Sequence, residues 1–502
     1  MRSFENVLEG IINLLAEIDV LPFVVIGSGP AGWAALEALV AKGKYPTLID
    51  IGQQAERSVS LSETASPDFS LKTRHGLSYM YDYPKDRIDE ANLKYKIPLS
   101  GAFGGLSTVW GTNLQLCREA CLSDAQDDEY TTAAISVLNT MFHSGSSDDL
   151  DEIETWLVPF KDKTPQSDRM QKIQRKLSDV LRDSPLLAGM ARNATLGEQT
   201  GCTLCGACMS GCNYGAIFST ERRIEQLISE GKINVVAGIV DRISSNNDLF
   251  KVSCTSIDLK STFNITSSFV FLAAGSIAST AILMKSGIIP DHATLRETQV
   301  AYLPILVPGS AASQRSQYSL AQVFVESRNG LASDSSFHMS IYEPSDEWPQ
   351  RIKTLRPILG RLFSWVLRRY VIAGICFLPS SLSGRLHLQL SELELVKVST
   401  ERNSQTIREF KSRLRGYRRR LSLAGVIPMV EFAEFPSVGS SFHVGVLEVD
   451  GRRCLKEDGS TNLGMGLHVV DGTALQVLPT GPVTLSIMVN ATMIVNRALI
   501  ST

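Results

Sequence analysis

Surplus charge is what this 502-residue chain has least of: 49 Lys and Arg stand against 52 Asp and Glu, a net charge of -3. So small an imbalance gives no general electrostatic reason to bind nucleic acid or an anionic membrane, and no recognised nucleic-acid motif accompanies the local basic stretches. No internal repeat of solenoid length and no low-complexity tract occurs, which excludes repeat architectures. Residues 1–23 carry acidic groups along their length and lack a basic n-region and a small-residue cleavage site. They read as a short amphipathic helix rather than a secretory signal. Uninterrupted membrane-length runs are missing too. Residues 261–284 and 472–496 are free of charge, but the first holds Asn264 and several Ser and Thr around Gly275, and the second is broken by Pro479, Gly481 and Pro482. Both are expected as buried strand, turn and helix units. At 44% hydrophobic, the chain is long enough for two large domains with substantial cores.

Cysteine is sparse outside one place. Of nine, four fall at Cys202, Cys205, Cys208 and Cys212, while Cys117, Cys121, Cys254, Cys376 and Cys454 are scattered. The CxxCxxCxxxC intervals are those of a ferredoxin iron-sulfur run, although Asn213 follows where that pattern has Pro, and no second run exists to share a cluster with. A single 4Fe-4S centre is the first reading. A tetrahedral zinc site is the alternative, and paired disulfides or packing thiols complete the set. An odd total with no secretory signal points to a reducing, cytoplasmic setting.

A dinucleotide site is written near the start. Residues 23–26 form an apolar run, followed by Gly27-Ser28-Gly29-Pro30-Ala31-Gly32 and an apolar helical stretch from Trp33. The glycines let the turn close and let backbone approach a pyrophosphate at the positive end of a helix. A second strand over 46–50 ends in Asp50, at the distance where a carboxylate holds a ribose hydroxyl. An N-terminal site in so long a chain is the layout of large flavoproteins, which favours FAD over NAD.

Further segments resemble the glucose-methanol-choline (GMC) family of FAD-dependent oxidoreductases. One is Gly104-Gly105-Leu106-Ser107, running on to Gly111-Thr112-Asn113, similar to the family's flavin-contacting loop. Another is residues 271–287 around Gly275, which look like a family signature of strand, Gly turn and helix. The third is C-terminal: Ser440-Ser441-Phe442-His443-Val444-Gly445, then Val469-Val470-Asp471-Gly472-Thr473, leading to Thr484 and on to Asn490. Some branches of the family, resembling long-chain alcohol oxidases, carry a CGxCxxGC segment like 205–212 just before a helix. Here that helix is expected over 219–230, with a strand containing Val240 within 233–243.

The resemblance implies an α/β fold in which a Rossmann-like FAD-binding domain is interleaved with an α+β substrate domain built on an antiparallel sheet. It implies FAD contacts at Gly27, Gly29, Gly32, Asp50, Gly104, Gly105, Ser107, Asn113, Val240, Gly275, Asp471, Gly472 and Thr484. It further implies oxidation of an alcohol to a carbonyl, with His443 taking the hydroxyl proton, a task that suits a neutral imidazole. One departure stands out. Where the family places a second His or Asn before a Pro and the final helix, this chain has Gly481 before Pro482. His338 and His387 are the replacements weighed, each more often an ordinary sheet histidine. A non-oxidative or reductive flavoprotein, or an inactive metal-stabilised scaffold, are the competing readings.

The expected division is 20–120, 196–300 and 439–502 for the FAD part, 121–195 as a connector or insertion, and 301–438 for the substrate domain. Strands expected in the last are 301–307, 318–326, 338–343, 370–379 and 385–390, forming one sheet that roofs the flavin. The acidic stretch 147–154 reads as a solvated connector. Basic stretches at 352–369 and 402–420 read as helices with a solvated cationic face; contact of the first with a membrane surface is the alternative. Partners expected are a small-molecule alcohol and, if a cluster is present, a protein or quinone electron acceptor.

Overall fold

A computed structural model describes residues 20–52, 87–89, 93, 97–108, 110–124, 126–142, 151–153, 156–158, 166–195, 215–246, 248–257, 259–308, 320–343, 369–441, 443–462 and 464–500. The cysteine run, most of the 1–23 segment and nearly all of the 352–369 stretch lie outside these residues.

The first sheet grows from Leu21–Ile26, whose Val24, Val25 and Ile26 are buried. It pairs in parallel with Thr262–Leu272 on one side and Thr47–Asp50 on the other. Asn234–Ala237 extends the sheet beyond Thr47–Asp50, and Gly464–Val469 beyond Thr262–Leu272, both in parallel. Parallel strands buried on both faces need helices above and below. Pro30–Ala41 supplies one, and Thr484–Ile500 packs against it. Strand order passes from Thr262–Leu272 through Leu21–Ile26 to Thr47–Asp50. Leu21–Ile26 is therefore followed in the sheet by Thr47–Asp50 on one side and Thr262–Leu272 by Gly464–Val469 on the other, and the crevice at such a switch point is where α/β sheets bind ligands. A hairpin of Ile239–Asn246 and Leu249–Thr255 is added antiparallel to Thr262–Leu272.

Among the described residues two six-stranded sheets accompany this one. The second runs in the order Arg452–Arg453, Val444–Val449, His292–Glu297, Arg385–Leu390, Val396–Glu401 and Ile88–Asp89. The third is antiparallel throughout: Ile427–Pro428, Val300–Leu306, Val371–Phe377, His338–Tyr342, Val323–Ser327 and Leu186–Met190. Four of the five strands expected to share one roof sheet do so. The fifth, Arg385–Leu390, belongs to the second sheet, because the chain turns a corner at 378–384 where Gly384 N–H donates to the Gln299 side chain and Gln299 N–H to Ser383 Oγ. Its Leu386 and Leu388 join the core of the first sheet.

Helices Asp168–Leu181 and Thr406–Leu423 cover the third sheet and build its separate core. Met170, Ile173, Leu177 and Leu181 line one face of the former, whose N-cap Ser167 accepts from Met170 N–H, a contact worth about 1 kcal/mol. Phe410, Leu414 and Leu421 anchor the latter at about 1.5–3 kcal/mol each. Lys411 and Arg415 on this helix pair with Glu431, so the basic stretch has the apolar stripe and charged outer face expected of it. Both charge-free stretches resolve into strand, turn and helix or turn and helix, and among the described residues no helix is long and apolar enough to cross a membrane. Within the acidic stretch expected as a connector, Asp151–Ile153 instead forms a short strand against Trp156–Val158.

Candidate active site

The glycine turn sits at the carboxyl end of Leu21–Ile26. Gly27 adopts φ +99°, a conformation that disfavours side chains, and a Cβ there would stand 2.5 Å from Ala273 O. A Cβ on Gly32 would stand 1.8 Å from Gly27 O, so helix and turn are in direct backbone contact. Gly29 differs: nothing lies within 4 Å of a Cβ built there, leaving open space at the N-terminus of Pro30–Ala41. Asp50 holds the turn in place, accepting from Ser28 N–H at 2.7 Å and from Gly52 N–H at 2.7 Å. Burial pushes its carboxyl up to about 6, against the pull of these donors.

Two distant segments close over this turn. Gly104 N–H donates to Ser28 Oγ at 2.7 Å, and Thr220 Oγ1 donates to Ser28 O at 2.9 Å. Ser107, expected as a flavin contact, has its hydroxyl engaged with Gly104 O at 2.7 Å and within 2.8 Å of Thr220 Oγ1. Gly104 and Gly105 both have positive φ, and Cβ atoms on them would meet the Glu221 side chain at 2.8 Å and Gly29 Cα at 3.0 Å. The helix expected over 219–230 is Thr220–Ser229, and its first residue is part of this knot. Val240 lies in Ile239–Asn246, just past Gly238, whose N–H donates to Asp50 O.

A second glycine turn stands beside the first, where Thr262–Leu272 ends. Gly275 has φ +88° and open space around it, and it caps helix Ser276–Lys285. Buried Asp471 binds the turn: its Oδ2 accepts from Gly275 N–H at 3.0 Å and Ser279 Oγ at 2.5 Å, its Oδ1 from Thr473 N–H at 3.0 Å and Thr473 Oγ1 at 2.7 Å. The segment bearing His443 is stitched to the same turn. Ser276 Oγ donates to Val444 O at 2.7 Å, and Gly445 and Gly472 are so close that a Cβ on Gly445 would stand 2.5 Å from Gly472 O. Thr298 N–H donates to His443 O, and Glu297 accepts from Ser441 Oγ and Gly439 N–H. Burial raises Glu297 to about 7. Thr484 begins the final helix.

The His443 ring meets Phe377 edge to face, with centroids 5.0 Å apart. Its buried Nδ1 has no hydrogen-bond partner among the described residues. Burial, and then the neighbouring His338, push its pKa down to about 4, so the ring is neutral at physiological pH.

Sequence reasoning missed a buried polar cluster that adjoins this ring. His338 Nδ1 lies 3.1 Å from Glu326 Oε2, and Nε2 lies 3.0 Å from Ser340 Oγ, which accepts from Asn113 Nδ2 at 2.6 Å. Gln115 Nε2 donates to Glu326 Oε2 at 2.5 Å, and Arg192 spans Gln115 Oε1 at 3.1 Å and Glu326 Oε1 at 3.5 Å. Burial raises Glu326, but Arg192 and the His338 and Gln115 donors outweigh it and hold the carboxyl below its usual range. The signal available in the sequence was an acid inside the apolar run Val323–Ser327 and a histidine opening His338–Tyr342, which pair directly as Glu326 and His338. His387 is the ordinary sheet histidine: it is half-exposed and bonded to Thr294 and Glu401. Among the described residues no cluster of three or more His, Cys, Asp or Glu could hold a metal ion; the four clustered cysteines lie outside them.

No family model matches the chain, and no curated protein matches it in sequence. The likeness that exists is structural. Its fold is similar to that of pyridoxine 4-oxidase. The crystal structure of that protein from Mesorbium loti superposes with a TM-score of 0.57 over 95% of this chain and 99% of the other, at 12% identity. This is the expected α/β architecture, a Rossmann-like sheet combined with an antiparallel one.

Proposed function

We propose that the chain is an FAD-dependent oxidoreductase of the GMC kind that oxidises an alcohol to a carbonyl. The observation that carries the reading is the stitching of the His443 segment onto the second glycine turn through Ser276 and Gly472. It ties the segment that carries a neutral imidazole, whose Nδ1 has no partner among the described residues, to the turn at the end of Thr262–Leu272, which supports a base beside the flavin. The residues there fit FAD. Gly29 and Gly275 leave the open space that a dinucleotide backbone needs, the N-terminus of Pro30–Ala41 favours a pyrophosphate, and Asp50 retains acceptor capacity for a ribose hydroxyl. Gly104, Gly105, Asn113, Gly472 and Thr484 complete the proposed lining, with Val240 at the Asp50 end.

Bound FAD supplies the hydride acceptor for carbinol oxidation. The protein does the rest. His443 accepts the hydroxyl proton, Phe377 holds the ring edge-on, and the backbone bond from Thr298 to His443 O fixes where the ring hangs. A neutral base in a dry site is ready to take a proton without first losing one. The fold neighbour is an oxidase of pyridoxine by name, which supports a hydroxyl-bearing small molecule as substrate class. For Cys202, Cys205, Cys208 and Cys212 we retain a 4Fe-4S centre as the proposal and zinc as its alternative, with a protein or quinone acceptor following from the former.

The test is an anaerobic absorption spectrum with flavin, iron, sulfide and zinc analysis, followed by titration with primary and secondary alcohols. Stoichiometric flavin that bleaches with an alcohol supports the reading. Protein that takes up no flavin on reconstitution overturns it, and zinc or no metal removes the cluster while leaving the flavin chemistry standing.

A further inference from the structure

Gly481 lacks the side chain that the resemblance leads one to expect, and the space beside it is filled. A Cβ on Gly481 would meet Leu331 Cδ1 at 3.3 Å, Gln115 Cγ at 3.5 Å and His338 Cγ at 3.7 Å. The 479–481 segment and His443 are tied to the same residue, since Thr298 donates through its backbone to His443 O and through its hydroxyl to Pro479 O at 3.0 Å. Phe377 touches both imidazoles, at 5.0 Å from His443 and 5.4 Å from His338, each edge to face. His338 itself is fully buried and cannot turn without breaking contacts at both ring nitrogens.

We propose that His338 is the positioning residue for His443: anchored by Glu326 and Ser340, it fixes Phe377 and the plane of the His443 ring and sets the field that ring feels, replacing from the third sheet what Gly481 cannot provide. The catalytic meaning of this rests on the reading of His443 as the base; the coupling of the two rings does not. Charged groups around the pair are Glu326 and Arg192 on the His338 side, while Glu297 supports the His443 segment through Ser441 and Gly439. Arg192, with the His338 and Gln115 donors, holds the Glu326 carboxyl below its usual range despite burial, so the anchor is a carboxylate.

The experiment compares the flavin-loaded full chain with His338→Gln and Ser340→Ala, using His443→Asn to assign the His443 signal in histidine-labelled NMR spectra between about pH 3 and 8, a window that contains the midpoint near 4. Gln keeps a group able to bond Glu326. The expected result is an upward move of the His443 titration by ~0.5–1 unit in His338→Gln, with unchanged flavin content. Ser340→Ala, which leaves His338 in place but frees its Nε2, broadens or splits the His443 signal. If alcohol oxidation is observed, kcat falls about 10- to 100-fold in His338→Gln and the acid limb of the kcat/KM profile moves with the NMR titration. An unchanged His443 titration and signal in both variants overturns the proposal. Loss of flavin or of alcohol-dependent bleaching in the wild type overturns the functional reading instead, and leaves the NMR comparison as the deciding measurement for the coupling. If His338→Gln does not fold, Ser340→Ala alone decides it.

Discussion

Alanine at Gly29 and at Gly32 should separate cofactor binding from folding within four residues. At Gly32 the added carbon would stand 1.8 Å from Gly27 O, where real contacts are not tolerated, so helix and turn must part by more than an ångström. Overpacking of that kind costs about 1–3 kcal/mol, and the displaced turn also drags Ser28 away from Asp50 and Gly104. Gly32→Ala is therefore expected to lower thermal stability and weaken flavin binding ~5- to 150-fold, the same range expressed as an equilibrium constant. Gly29 has φ -64° and nothing within 4 Å of its Cβ, so alanine is unstrained there. Gly29→Ala should leave the flavin-free protein as stable as the wild type, or more so by about 0.4–1 kcal/mol, because the unfolded chain loses freedom. The methyl nonetheless occupies the space the pyrophosphate needs, and flavin affinity should fall about tenfold or more, ~1.4 kcal/mol. Fluorescence titration of flavin-stripped protein and its denaturation midpoint give both numbers. A Gly29→Ala protein that binds flavin as tightly as wild type refutes the placement of the pyrophosphate, whatever Gly32→Ala does.

Glu297, raised by burial from 4.5 to about 7, favours the folded state most when protonated; that contribution is complete below 4.5 and is lost as pH rises through 7. The interval corresponds to about 3 kcal/mol, so Glu297→Gln should gain stability relative to wild type between pH 5 and 8, and parallel denaturation curves across that range would count against it. His443 must be unprotonated to act as a base, so kcat/KM should hold down to pH 5 and fall only toward about 4, whereas an acid limb near 6.5 would contradict the burial argument. Gly481→Ala should cost little, since its contacts lie at 3.3–3.7 Å. Gly481→His would drive a ring into Gln115 and His338 at about 1–3 kcal/mol, readable as a lower midpoint; equal stability of the two variants would show that the space is not filled.

Those elements that rest on short-range rules were legible in the sequence. The turn from Gly27 to Gly32 needs glycine at Gly27 and Gly32 because a Cβ at either would meet backbone, while Gly29 keeps open space, and helix Ser276–Lys285 follows Gly275 for a related reason: that residue sits at φ +88°. The pairing of Asp50 with Ser28 N–H was not legible, since a carboxylate 22 residues away gives no sign of whether it faces a ribose or the turn itself. Nor was the split of the roof strands, because Arg385–Leu390 alternates as any strand does and only the corner at 378–384 sends it to another sheet. The cluster around His338 was hidden for a different reason. It draws Asn113, Gln115, Arg192, Glu326 and Ser340 from separate segments, and nothing in the periodicity of one segment specifies the side chains opposite it.

The knot that closes the first glycine turn joins segments far apart in the chain. Ser28 is held by Gly104 and Thr220, the neighbouring strand Thr262–Leu272 is flanked by Gly464–Val469, and helix Pro30–Ala41 packs on Thr484–Ile500. Contacts so distant along the chain carry a high loop-closure cost and form late. During synthesis the first strand can pair early with Thr47–Asp50, whereas helix Pro30–Ala41 leaves the ribosome with part of its apolar face bare until Thr484–Ile500 has been made. A polypeptide stalled before residue 464 lacks Asp471, which binds the Gly275 turn, and Gly472, which packs on Gly445, so the second glycine turn and the His443 segment lose their support together.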